Sequence, residues 1–229
     1  AARPGERLHP RGGSHLPAAS LASVTVPLPN RVTPFGVVEA SPARGMFMGN
    51  RGCLVDGQGR LVRRWRGERW LLCRLEFRGR RRRPLMAPGR YTELFFLDEA
   101  TALAAGHRPC RECRRADLEA FRAAWLEVHP GDAGSLTRLD HRLHQERTAG
   151  ASWSAPCRTL PDGVMVALEG APWLVLGGAI LAWSHGGYTG RRACPTGAVD
   201  VITPPSITKV LSAGWAPCLH PSARALADA

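Results

Sequence analysis

The sequence has one lysine, Lys209, and only two tyrosines and four methionines. Acidic residues are few: 19 against 31 basic ones, giving a net charge of +12 carried almost entirely by arginine. Such a surplus favours a polyanionic partner such as DNA or RNA, or an anionic membrane surface. No apolar run is long enough to span a bilayer. The longest, Ala171 to Trp183, is broken by two glycines, so no membrane partner is expected. A central apolar core of a secretory signal is also missing from the Arg-rich N-terminus. The Gly-x-Ser-x-Gly elbow of hydrolases and the lysine-bearing phosphate loop are absent as well.

Seven cysteines are present, an odd number, and two of them stand as Cys110-Arg-Glu-Cys113. This usage reads as metal binding in a reducing compartment rather than as a disulfide framework, so a cytoplasmic protein is expected. Two thiolates three residues apart converge on one tetrahedral ion because a tight turn brings both sulfurs to the same side. The upstream thiols able to complete a Zn2+ site are Cys73 and Cys53, with Asp56 and His107 in reserve.

The chain leads into that turn in a definite order. Residues 1–42 are rich in Pro, Gly and Arg and read as a flexible basic arm. Short strands and turns follow from Met46, and Trp70 to Phe77 alternates so that Leu71, Cys73, Leu75 and Phe77 share one face. Asp98 is placed to cap a short helix stopped by Gly106 and Pro109, which delivers the chain to Cys110. Helices are expected over Arg115 to Val128 and Leu136 to Arg147. After Ala149 the texture is β again: Val164 to Leu168 with Trp173 to Leu176, then Ile180 to Trp183, Val199 to Thr203, and a helix over Ile207 to Ala213. The expected class is α+β, with a zinc-binding module over residues 43–130, a linking helix over 131–150 and a mostly β domain over 151–229.

Gly49-Asn50, Cys73, Phe95-Phe96 with Glu99-Ala100, and Ala105-Gly-His-Arg-Pro-Cys-Arg-Glu-Cys113 together resemble the metal-binding module of the Ada-type DNA alkylation-repair proteins and their stand-alone relatives. The resemblance covers about Met46 to Asp117. It implies one zinc ion held by a strand-rich segment and a helix-terminal knuckle, and a module that commonly contacts DNA, in repair or regulation. It carries zinc binding to Cys110 and Cys113, and to Cys73 less directly. Methyl-acceptor chemistry does not carry over. The family's close Cys-x3-Cys pair is replaced by the isolated Cys73, residues 79–89 are inserted, and Arg69 and Trp70 stand where some relatives have histidine.

Between Arg60 and Arg83 eleven arginines face only Glu68 and Glu76, interleaved with Trp65 and Trp70. Guanidinium groups grip phosphates bidentately and aromatic faces stack on unpaired bases. Arg78, Arg80, Arg81, Arg82, Arg83 and Trp70 are therefore the expected nucleic-acid contacts. An enzymatic alternative, a nuclease or other hydrolase, would rest on Asp140 and His144, one helical turn apart, with the carboxylate orienting the imidazole. His129, His185 and His220 read as structural.

Overall fold

The computed structural model describes residues 26–79, 83–132, 134–150 and 153–228. In chain order the strands and helices of the first half are β1 (Pro29–Val32), β2 (Val38–Ala40), β3 (Phe47–Asn50), β4 (Leu71–Cys73), β5 (Leu94–Phe96), α1 (Glu99–Ala104), β6 (Arg108–Pro109), α2 (Arg115–Val128) and α3 (Leu136–Thr148). They are followed by β7 (Trp153–Pro156), β8 (Met165–Leu168), β9 (Ala171–Leu176), β10 (Ala179–Ser184), β11 (Gly187–Ala193), β12 (Ala198–Val201), α4 (Pro205–Ser212) and α5 (Pro221–Ala227). This is an α+β fold. One six-stranded sheet is mixed, in the order β2-β1-β5-β3-β4-β6, and the other is antiparallel, in the order β11-β10-β9-β8-β12-β7.

The second sheet follows its turn chemistry. The connections β8–β9 and β9–β10 are two-residue loops, Glu169-Gly170 and Gly177-Gly178, all four residues having positive φ. Backbone of that hand matches the right-handed twist of the strands it joins. The strand β11 is not among those expected from sequence, because Gly190, Arg191 and Arg192 interrupt any apolar alternation. Only its first two residues, Gly187 and Tyr188, are buried.

In two places the first sheet corrects the sequence reading. Part of the supposed arm is sheet: β1 pairs with β2 and, in parallel, with β5, and Val32 is fully buried. Residues 1–25 lie outside the described part. The run from Trp70 to Phe77 is not one alternating strand either. Leu72 and Cys73 are both buried, whereas Leu75 is 52% exposed, because the ladder ends at Cys73. The next backbone N–H, that of Arg74, donates to Cys113 Sγ at 3.4 Å instead of to a strand.

Every residue of α1 is buried, which explains a helix made largely of alanine: it has apolar neighbours all round. Ala102 and Ala105 pack with Val32, Leu72, Leu94 and Phe96 of the first sheet. Ala100 and Ala104 pack with Met165, Leu174 and Leu181 of the second. Leu103 joins the largest core, where Phe121 and Trp125 of α2 and Leu139 and Leu143 of α3 meet Val166, Val175, Ile180 and Val199. Apolar packing is therefore continuous across residue 150. Cys157 and Cys194 form a disulfide in that core, with Cα atoms 5.7 Å apart. These two sulfurs depart from the expectation that cysteine serves metal alone.

Asp98 ties the halves together by hydrogen bonds. Its Oδ1 accepts from the Thr101 N–H at 2.9 Å and the Thr101 hydroxyl at 2.7 Å, as an N-cap does. Its Oδ2 accepts from the Tyr188 hydroxyl at 2.8 Å and the His220 N–H at 3.1 Å. Tyr188→Phe is expected to lower the unfolding free energy by about 2 kcal/mol, since it removes a buried hydrogen bond to a carboxylate. A urea titration reads this directly, and an unchanged midpoint would contradict it.

Candidate metal centre

The centre is assembled by two parallel strand ends. In the β4–β6 pair Leu72 stands opposite Pro109, and the Cys110 N–H donates to the Leu72 carbonyl at 2.9 Å. Cys73, at the end of β4, is thereby set beside the turn that follows β6. That turn is closed by Arg114 N–H on the Cys110 carbonyl at 3.1 Å, and α2 starts directly after it. The Arg114 side chain braces it from behind, pairing with Glu99 of α1 and with Asp117 at 2.8 Å and lying over the Phe47 ring at 4.9 Å.

The sulfurs of Cys73, Cys110 and Cys113 lie within 4.8 Å of one another. Thiolates about 2.3 Å from a tetrahedral ion require this kind of convergence. Backbone N–H groups point at two of them, Glu112 at Cys110 Sγ and Arg74 at Cys113 Sγ, each at 3.4 Å. Without a cation only one sulfur readily carries charge. Cys110 is held far below the usual thiol range by hydrogen bonds from Cys113 and Cys73. The contact with Cys110 pushes both Cys73 and Cys113 upward, and burial adds to the effect at Cys73. Adjacent thiolates repel, and the charge of a bound divalent ion would offset that repulsion and so let all three deprotonate. The donor set therefore fits a thiophilic ion such as zinc.

Cys53 does not join the cluster. It sits in the irregular segment before the Val55–Leu61 bridge, with its Sγ 3.5 Å from the Val55 carbonyl oxygen. Asp56 is likewise occupied, accepting from the Gln58 and Arg60 N–H groups at 2.9 and 3.0 Å and from Arg60 Nε at 2.9 Å. His107 is fully buried and accepts from Arg51 Nε at 3.3 Å.

The cluster forms part of the wall of a groove of about 860 Å³. Arg31, Arg44, Arg74 and Arg83 border it, against Glu76 and Glu112, and Met48, Phe77 and Phe95 supply apolar surface. Arg31 is fixed, donating to the Ala43 carbonyl at 2.6 Å with its guanidinium 4.8 Å over Phe95. Arg31 and Arg44 belong near or within the segment read as an arm, and nothing in the sequence singled them out. Of the expected phosphate contacts, Arg83 borders the groove, Arg78 lies 5.1 Å over the Phe77 ring, and Arg80, Arg81 and Arg82 lie outside the described residues. Trp70 is only 5% exposed. Its N–H donates to the Gly67 carbonyl at 3.2 Å and its ring carries two guanidinium groups, so it is placed as an interior aromatic.

The helical pair Asp140 and His144 is engaged elsewhere. Both Asp140 oxygens accept from Arg108, at 2.8 and 2.7 Å, in a pair that is almost wholly buried. His144 Nδ1 lies 3.4 Å from Arg147 Nη2, and its ring stands edge-on to Trp65 and Trp70. Burial lowers its pKa, and Arg147 lowers it further. The carboxylate that was to orient the imidazole is thus used to neutralise a buried arginine.

Comparison of the chain with protein-family models, with curated proteins and with solved structures returns no match. No helix among the described residues is long and apolar enough to cross a membrane.

Proposed function

We propose that this is a zinc-binding protein whose three-cysteine centre holds a strand–helix junction in place beside a basic groove that receives a nucleic-acid strand. The observation that carries the reading is the convergence of Cys73, Cys110 and Cys113 within 4.8 Å in the wall of a groove bordered by four arginines. Zinc bound there supplies a rigid, charge-neutralising cross-link between β4 and the start of α2. The chain's own contribution is the arginine border, which offers forked donors to phosphates, and the Phe77 and Phe95 surface between them.

DNA is the polymer favoured by the resemblance of the helix-and-knuckle segment to Ada-type modules, and a single strand fits a groove that mixes cations with aromatic faces. The test is the salt dependence of binding to a single-stranded oligonucleotide. In the triple variant Arg44→Ala, Arg74→Ala, Arg83→Ala, the slope of log affinity against log salt should fall by about 2, near 0.7 for each lost phosphate contact. No retention by the parent protein at low salt, or a slope indifferent to the three replacements, would remove the nucleic-acid part of the proposal.

A further inference from the structure

Away from the cysteine cluster, two arginines are placed in a way that packing alone does not explain. Arg51 follows β3 and is 2% exposed. Its Nη1 donates to the Gly36 carbonyl at 2.8 Å and its Nε to His107 Nε2 at 3.3 Å, while its Nη2 has no partner among the described residues. Arg147, in the last turn of α3, donates through Nη1 to the Gly106 carbonyl at 2.7 Å and through Nη2 to the Glu68 carbonyl, but its Nε is unpartnered. Both guanidinium carbons lie over the one Trp70 ring, at 4.2 and 3.8 Å.

Among the described residues neither arginine forms an ion pair with a carboxylate. Asp140, Glu68 and Glu146 act on Arg147 only at longer range: Asp140 is bound to Arg108, Glu68 to His141, and Glu146 accepts from the Ser206 N–H at 3.2 Å and the Ser206 hydroxyl at 2.5 Å. Burial pulls both guanidinium groups down to about 9, and Arg147 adds to the effect on Arg51. Cation–π contact with one indole offsets only part of the cost of burying a charge that no carboxylate pairs directly. Water would satisfy the free N–H groups but would bring no countercharge.

Both arginines line a cavity of about 330 Å³, together with Arg64, Trp65, Gly36 and Glu146. Gly36, which also lines the cavity, has φ +79°, and a Cβ there would lie 3.5 Å from Arg51 Nη2. Arg64 stands exposed, its guanidinium 5.7 Å from the Trp65 ring, and adds a third cation. Three guanidinium groups, two of them held by the fold with donors to spare, form a built receptor for a compact anion with several acceptor oxygens.

We infer that the cavity lined by Arg51, Arg147 and Arg64 is a binding site for a phosphate-class oxyanion, free or as the terminal group of a monoester. It does not depend on the metal centre or on the polymer groove, since none of its residues borders either. The cavity has room beyond the anion for an organic group beside Trp65, the size range in which small-ligand sites begin.

The experiment is calorimetric titration of the full-length protein in chloride buffer with inorganic phosphate and, separately, with adenosine 5′-monophosphate. Saturable binding of one or both with a dissociation constant below about 1 mM is expected. Tighter binding of the nucleotide would assign the site to an ester, and equal or tighter binding of phosphate to the free ion. Arg51→Met should weaken the interaction at least about tenfold. Because that residue is buried, Arg64→Gln at the mouth serves as a second variant that leaves the interior intact, and a smaller weakening is expected from it. Absence of saturable heat with both probes, or binding that a folded Arg51→Met and Arg64→Gln both leave unchanged, overturns the inference.

Discussion

Cys110→Ser is expected to reduce bound zinc from about one ion per chain to almost none and to lower the unfolding free energy by about 4 kcal/mol. The Cys110 sulfur is in contact with both other thiols, and its N–H fixes the end of β6 to β4. Losing its sulfur leaves Cys73 and Cys113, two ligands without the third. Elemental analysis gives the stoichiometry, and urea unfolding with and without a chelator gives the energy. Cys53→Ser is the control, since its sulfur faces the Val55 carbonyl, and it should keep its zinc. Metal retained by Cys110→Ser, or lost equally from Cys53→Ser, would mean that the ion, if any, lies elsewhere.

The second large effect is expected at Asp140. Asp140→Ala leaves the guanidinium of Arg108, the first residue of β6, buried with no countercharge, at a cost of about 3 to 5 kcal/mol. Arg108 directly precedes Pro109 and the cysteine turn, so the same variant should bind zinc less tightly. A paired replacement, Arg108→Met with Asp140→Leu, removes both charges and should recover much of the loss. Equilibrium unfolding of the three variants tests this. Were Asp140→Ala as stable as the parent while the double variant was not, the ion pair would have no energetic role.

Local signals made part of this molecule readable from its residues. Asp98 followed by an alanine-rich turn and then Gly106 and Pro109 specifies where α1 begins and ends, and the spacing of Cys110 and Cys113 specifies a knuckle. The pairing of β8 with β9 follows from two short apolar runs, Val164 to Leu168 and Trp173 to Leu176, set close together in the chain. What could not be read is set by contacts distant in sequence. A carboxylate and an imidazole one turn apart on α3 look like a pair until Arg108, 32 residues earlier, takes the carboxylate. The strand β1 lies among prolines and glycines and is held by β5, more than sixty residues on. Arg51 occupies what reads as an ordinary Gly49-Asn-Arg-Gly52 turn, and only the folded chain brings it under Trp70 beside Arg147.

The bond between Cys157 and Cys194 and the open thiol cluster make opposite demands on their surroundings. An oxidant strong enough to close the former also threatens to join two of Cys73, Cys110 and Cys113, unless a cation already shields their electrons. A reductant gentle to the cluster works against the bond. The order in which a nascent chain meets metal and oxidant therefore selects which of its sulfurs end up joined to each other.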